Sequence, residues 1–312
     1  MIKKDKSELK DVSKTIHKPV LLKEVIDIMN LSEGEIFLDG TLGGGGYFKT
    51  LCLKVGKSGI GIGLDQDAGA VEKMKEQKFA CQTYFVNENY RNMDKVLKDL
   101  AIDKADVVVL DLGISSDQLE NSGRGFSFKK DEPLLMTLKK DLGKDDLTAQ
   151  EIVNNWEEEN IADILFGYGE ERLARRIAKE ICKTREEKEI STTFELVEII
   201  KKAVPIWYQF KKTHYATKTF QALRITVNNE IEFLKEGLEK AFSVLNENGR
   251  IGVVTFHSLE DRVVKNFFKK KKEEKRGELL TKKPIIPSAE ELVENPRSRS
   301  AKLRGIKRVE SS

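Results

Sequence analysis

The stretch Asp39-Gly40-Thr41-Leu42-Gly43-Gly44-Gly45-Gly46-Tyr47 decides the fold. It follows a short apolar run, Ile36-Phe37-Leu38, and opens a segment with helical spacing, Tyr47 to Val55. Glycines in a strand-to-helix turn permit positive φ and close approach of the backbone to a ligand, while the helix N-terminus offers N–H groups without partners. A nucleotide-like ligand belongs at such a turn. A second apolar run, Ile60-Gly61-Ile62-Gly63-Leu64, ends in Asp65. An acidic residue about twenty positions beyond a glycine loop can accept both hydroxyls of a ribose.

Outward from this loop the same rhythm continues. Thr83 to Val86 and Val107 to Leu110 read as third and fourth strands, with helical spacing over Ala68 to Gln77 and Tyr90 to Leu100. Near-continuous apolar strands alternating with helices predict a doubly wound α/β sheet, mostly parallel and buried on both faces. Beyond Leu112 the rhythm changes. Thr148 to Glu159, which opens on the capping box Thr148-x-x-Glu151, Glu170 to Cys182 and Thr193 to Ala203 read as amphipathic helices. The sheet pattern resumes with a helix from Glu230 to Leu245, a turn over Asn246 to Gly249, a strand from Arg250 to Phe256 and a helix from Leu259 to Lys270. Segments near Leu279 to Ile286 and Ala301 to Val309 suit a closing antiparallel hairpin. The expected organisation is a sheet domain from residues 1–114 plus 221–312, interrupted by an all-helical insertion over 115–220.

Which nucleotide-like ligand? Phe48 stands where a dinucleotide fingerprint requires its third glycine, and the Gly-Lys-Ser/Thr of a P-loop is missing. S-adenosyl-L-methionine carries adenosine without phosphate, so it accepts a looser loop and gains from an acid near its ammonium, for which Asp39 is placed. The fourth strand ends in Asp111-Leu112-Gly113-Ile114-Ser115-Ser116, at the carboxyl edge where open α/β sheets bind ligands. A nucleophile can attack a sulfonium methyl in line, so alignment and desolvation carry the catalysis. Asp111 and His257, the latter at the end of the Gly252-Val253-Val254-Thr255-Phe256 strand, are the polar groups placed to orient an exocyclic amine. His257 equally suits a second role, capping the following helix together with Ser258.

Composition narrows the class. A chain of 312 residues with 39% hydrophobic and 34% charged residues has enough apolar content for a globular core. No apolar run is long enough to cross a bilayer, and the first residues resemble no signal peptide, so a cytoplasmic protein is expected. Cys52, Cys81 and Cys182 lie far apart, so reduced thiols are expected, with neither a disulfide nor a metal site. The net charge of +3 is small, but Lys269 to Lys272 form a run and Arg297, Arg299, Lys302, Arg304, Lys307 and Arg308 crowd the tail. Either cluster suits a polyanion, and either equally suits a solvated helix end or a frayed terminus.

At these residues the chain resembles the bacterial 16S rRNA (cytosine 1402-N4)-methyltransferases of the MraW type. The likeness runs from His17-Lys18-Pro19-Val20-Leu21-Leu22 to the tail and rests on the glycine loop and on Asp111 to Ser116. It includes Arg124-Gly125-Phe126-Ser127-Phe128, Tyr168-Gly169-Glu170-Glu171-Arg172, Thr219 to Ile225, Phe256 to Arg262 and Asn295 to Ser300. The resemblance implies a Rossmann-like class I methyltransferase whose helical insert recognises substrate, acting on 16S rRNA of the small ribosomal subunit. It places cofactor contacts at Gly45, Gly46, Tyr47, Asp65, Tyr90, Asp111 and Gln118, with Tyr90 packing on the adenine. Tyr47 replaces the family's usual His, and Leu135 and Thr137 stand where the family usually carries Asp and Arg. Leu135 and Thr137 raise the alternative of a non-catalytic RNA-binding assembly factor.

Overall fold

The computed structural model describes residues 19–114, 119, 121–139, 142–143 and 146–310. Seven strands form one sheet in the order β3-β2-β1-β4-β5-β7-β6. They are β1 (Ile36–Asp39), β2 (Ile60–Asp65), β3 (Gln82–Asn87), β4 (Ala105–Asp111), β5 (Leu245–Thr255), β6 (Gly277–Leu279) and β7 (Lys302–Arg308). The first five run parallel, and β7 pairs antiparallel with both β5 and β6. The expected closing hairpin is therefore present, with Ile285 bridging Leu303 just beyond it.

Alternation along the strands sorts side chains into two layers. Leu38, Ile62, Val108, Leu110 and Val253 face one side, under α4 (Met93–Asp99), α11 (Glu230–Ser243) and α12 (Ser258–Glu273). Phe37, Val107, Val109, Val254 and Leu303 face the other, under α1 (Leu22–Met29), α2 (Gly46–Val55) and α3 (Ala68–Lys75). Helices on both faces explain why Val107-Val108-Val109-Leu110 is apolar without a break. The expected turn at Asn246 to Gly249 is a bulge inside β5: Ala105 aligns with Leu245 and Val107 with Arg250, so the intervening residues loop out, Asn248 at positive φ.

Between β4 and α11 the chain builds a second core from α5 (Ala149–Asn155), α6 (Glu158–Gly167), α7 (Ala174–Arg185), α8 (Thr193–Ala203), α9 (Ile206–Gln209) and α10 (Thr217–Val227). The predicted helix over Thr148 to Glu159 is two helices. Thr148 caps α5 as expected, accepting from Glu151 N, but Trp156 is extended and Arg185 Nη1 donates to the carbonyls of Val153 and Trp156 at 3.2 and 2.7 Å. The helix expected from Glu170 begins only at Ala174, because Glu170 has φ +49° and the Glu171 carboxylate accepts from Leu173 N. The expected domain boundary at 220/221 falls within α10. Phe220, Ala222 and Leu223 pack in the helical core, while Ile225 joins Ile231 and Leu259 beneath the start of α12, so this one helix belongs to both cores.

Three expectations are corrected. Cys52 on α2 and Cys81 ahead of β3 form a disulfide with Cα atoms 5.4 Å apart, leaving Cys182 as the free thiol. Their separation of 29 residues carries no pattern, and only the docking of α2 against the sheet brings them together. The basic tail is no frayed end: Arg297 and Arg299 lie in a 3-10 turn (Pro296–Ser300), and Lys302, Arg304, Lys307 and Arg308 lie on β7, where Arg304 is buried and clamps Asp261 at 2.7 and 3.2 Å, joined by Lys302 at 3.1 Å. In the Lys269 to Lys272 run, at the end of α12, Lys271 is buried against Glu239 at 2.8 Å, and Lys269 and Lys270 pair with acids one turn on. Among the described residues no helix is long and apolar enough to cross a membrane.

Candidate active site

After β1 the chain moves outward to β2 and β3, then returns to place β4 on the other side of β1. The sheet order reverses there, and the carboxyl ends of β1 and β4 open a crevice. Asp39 and Asp111 close these two strands. Asp39 is buried; its Oδ1 accepts from Thr41 N at 3.1 Å, and its Oδ2 has no partner among the described residues. Asp111 N donates to Thr41 Oγ1 at 2.6 Å, and Asp111 Oδ1 is likewise buried and unpartnered. Burial raises the Asp39 carboxyl from 3.8 to about 7, with the Asp65 charge adding to the rise. Burial also lifts Asp111 well above the carboxylate range, helped by Asp39 and Glu260. Two buried carboxyls with open lone pairs at one crevice fit a ligand bearing cationic or N–H groups.

The loop between β1 and α2 is held by its own backbone and by Asp65. Gly45 caps α2 in the left-handed conformation at φ 72°, donating to the carbonyl of Leu42 at 2.7 Å. At Gly45 the left-handed φ of 72° favours glycine, and a Cβ on Gly46 would lie 2.1 Å from Cγ of the rigid Pro19 ring. Gly44 is different: nothing lies within 4 Å of its missing Cβ, so its backbone is the open part of the loop. Asp65, expected at a ribose, accepts from Gly43 N and Asp67 N, both at 2.8 Å, which ties the loop to the end of β2. One acceptance per oxygen leaves lone pairs for ligand hydroxyls.

Tyr47 packs in the core, its hydroxyl donating to the carbonyl of Val20, and burial together with the charges of Asp111 and Asp39 raises this phenol well above its usual range. Tyr90 opens a 3-10 turn after β3 and is half-buried, its ring against Gly237 of α11. The position suits the adenine packing expected of it. Gln118 lies outside the described residues, as do His17, Lys18, Ser115 and Ser116.

His257 takes the capping role foreseen for it. Its Nδ1 accepts from Glu260 N at 3.3 Å while the Glu260 carboxylate accepts from Phe256 N and His257 N, a reciprocal cap on α12. Its Nε2 is buried, 3.1 Å from Glu260 Oε1. Glu260 stays below the usual carboxylate range although burial opposes this, because His257 and Arg224 stand beside it. Glu230 completes the group, and Arg224 holds it through two 2.9 Å bonds. Ser258 does not join the cap; its hydroxyl donates to Glu170 of the helical lobe at 2.7 Å.

The structure thus brings Asp39, Asp65, Asp111 and the glycine loop to one sheet edge, with Tyr90 flanking it. Thr41, which fixes both aspartates, and Gly237, which makes room for Tyr90, were missed by sequence reading. Thr41 sits inside the loop motif and was open to notice; Gly237 lies mid-helix and nothing local marks it. The adenosine, ammonium and sulfonium of S-adenosylmethionine match the donor set: lone pairs at Asp65, open carboxylate oxygens at Asp39 and Asp111, and exposed backbone at Gly44.

Comparison with known proteins agrees with this geometry. Residues 14–309 match the MraW methylase family. The chain is 43% identical over 309 residues to the ribosomal RNA small subunit methyltransferase H of Clostridium botulinum (strain Kyoto / Type A2), covering 94% of this chain and 99% of that protein. It is 46% identical over 295 residues to the protein of the same name from Sulfurihydrogenibium sp. (strain YO3AOP1), with the same coverage of each.

Proposed function

Since the chain belongs to the MraW methylase family, we propose that it uses S-adenosylmethionine to methylate the exocyclic N4 amine of cytosine 1402 in 16S rRNA of the small ribosomal subunit, in the cytoplasm. The observation that carries this reading is the pair of carboxyls flanking the topological switch point, Asp39 and Asp111, each with a buried oxygen that has no partner among the described residues. When bound, the cofactor supplies an electrophilic methyl. Asp39 and Asp65 would hold its charged and hydroxyl ends, and Asp111 would face the reacting centre. An N4–H donated to Asp111 Oδ1 would align the amine lone pair for in-line attack, and Asp111 in its ionised form would accept the amine proton as the methyl leaves sulfur for nitrogen. His257 holds the start of α12 in place beside it.

Leu135 and Thr137 do not favour the non-catalytic alternative. Their segment is a folded part of the helical lobe: Leu135 O accepts from Ala149 N, Thr137 is buried, and Asn228 brackets Met136 and Leu138. The test is transfer of labelled methyl from S-adenosylmethionine to small subunits lacking the mark, with mass spectrometry of the rRNA to locate the modified base and atom. Incorporation at a cytosine N4 is expected. Absence of label in rRNA, with no cofactor binding by calorimetry, refutes the proposal.

A further inference from the structure

We infer that the exposed face around Trp207 and Phe210, on the helical lobe, is a stacking platform for unpaired bases of single-stranded RNA. The inference rests on the RNA-methylating function proposed above and says where the substrate strand lies.

Ile206, Trp207 and Phe210 are 71%, 60% and 83% exposed, an unusual amount of large apolar surface for one short segment. The backbone beneath them is anchored. Tyr208, between the exposed rings, is buried and its hydroxyl donates to Glu171 Oε2 at 2.6 Å, while Gln209 Nε2 donates to the carbonyl of Lys201 at 3.1 Å. Rigid outward rings present their faces at little entropic cost on binding. Lys211 Nζ lies 4.9 Å from the Trp207 ring centroid and 4.3 Å from that of Tyr208.

Charge identifies the occupant. No Asp or Glu occurs in sequence between Glu198 and Glu230, whereas Lys201, Lys202, Lys211, Lys212 and Lys218 do. Among the described residues Lys202 and Lys212 make no ion pair, and both are exposed. A second copy of the chain meeting this face by two-fold symmetry would set lysine against lysine. A single strand of RNA supplies what the face lacks, phosphates for the lysines and flat bases for the rings, whereas a duplex hides its base faces.

The platform is also tied to the crevice. Glu171 receives Tyr208, and the adjoining Glu170 reaches across to Ser258 Oγ and Arg262 Nη2, both at 2.7 Å, beside His257. Two consecutive glutamates therefore connect the stacking face to the methyl-transfer edge, so bases held on one stand in fixed register with the other.

The test uses the full chain with Trp156→Phe, which leaves Trp207 as the single tryptophan reporter. The probes are an unstructured oligoribonucleotide and a blunt RNA duplex of equal length. Single strand should quench Trp207 emission, and, read by anisotropy of a fluorescently labelled oligoribonucleotide, Trp207→Ala and Phe210→Ala should each weaken its binding roughly 5- to 100-fold. Duplex binding and cofactor affinity should not change, and Trp207→Phe should retain most of the affinity. Unchanged single-strand affinity in both alanine variants overturns the platform, as does equal loss for duplex. A parent dimer that becomes monomeric with Trp207→Ala reassigns the face to self-association and overturns it too. If the parent binds cofactor but no RNA of any form, the RNA-methylating function itself fails.

Discussion

Asp39 should make cofactor binding depend on pH, with a sign and size that follow from its burial. Its carboxyl is raised from 3.8 to about 7 in the unliganded fold, and its Oδ2 has no partner to compensate for charge. A cationic ligand favours the ionised form, so binding displaces a proton whenever the site is neutral. With a value near 7, about one site in ten is ionised at pH 6 and nine in ten at pH 8. Affinity for S-adenosylmethionine should therefore rise roughly tenfold over that interval, equivalent to about 1.4 kcal/mol. Stability runs the opposite way. A folded value above the unfolded one contributes stability that is complete below about 4 and lost as pH rises through about 7, up to roughly 4 kcal/mol for the unliganded protein. Asp39→Asn keeps an oxygen for Thr41 N but cannot ionise. The variant should melt higher than the parent at pH 8 without cofactor, bind cofactor more weakly, and lose most of the pH slope. Calorimetry at pH 6, 7 and 8 in two buffers of different ionisation enthalpy reads both affinity and proton release. An affinity that falls as pH rises, or a slope that persists in Asp39→Asn, refutes the reasoning.

Other changes test other parts of the framework. Gly237→Val puts a side chain where even a Cβ lies 2.3 Å from the Tyr90 ring, and the overpacking should weaken cofactor binding by about 1–3 kcal/mol in calorimetry. Asp65→Ala releases Gly43 N and Asp67 N and should lower cofactor affinity by about 1–3 kcal/mol; unchanged affinity would remove Asp65 from the site. Arg304→Ala leaves Asp261 buried with only Lys302 as partner, so it should reduce unfolding free energy by about 3–5 kcal/mol while leaving the salt dependence of RNA binding unchanged. Thiol labelling under denaturing conditions should find one reactive cysteine before reduction and three after, and Cys52→Ser with Cys81→Ser should lower stability by about 3–4 kcal/mol through loss of the loop closure.

Much of the cofactor half was legible because its signals are local. A glycine run between an apolar strand and a helix, and aspartates at strand ends, are read within a few residues, and Asp39, Asp65 and Asp111 all stand where that reading put them. Charge clusters were less legible. Arg304 and Lys271 look like surface groups in a basic run, but each is buried against an acid far away in sequence, Asp261 and Glu239. The resemblance put Tyr47 at the ligand; that its hydroxyl bonds the carbonyl of Val20, 27 positions earlier, is not marked in the loop motif.

By itself the sequence determined the sheet, the glycine loop and its acids, and the presence of helices between β4 and α11, since strand and helix periodicities and turn chemistry act over short range. Tertiary structure alone decided the Cys52–Cys81 bond, the clamp of Arg304 on Asp261, the draw of Ser258 to Glu170, and the platform at Trp207. Each depends on which elements pack together. Burial and electrostatic partners arise from residues tens to hundreds of positions apart, and no local pattern specifies them.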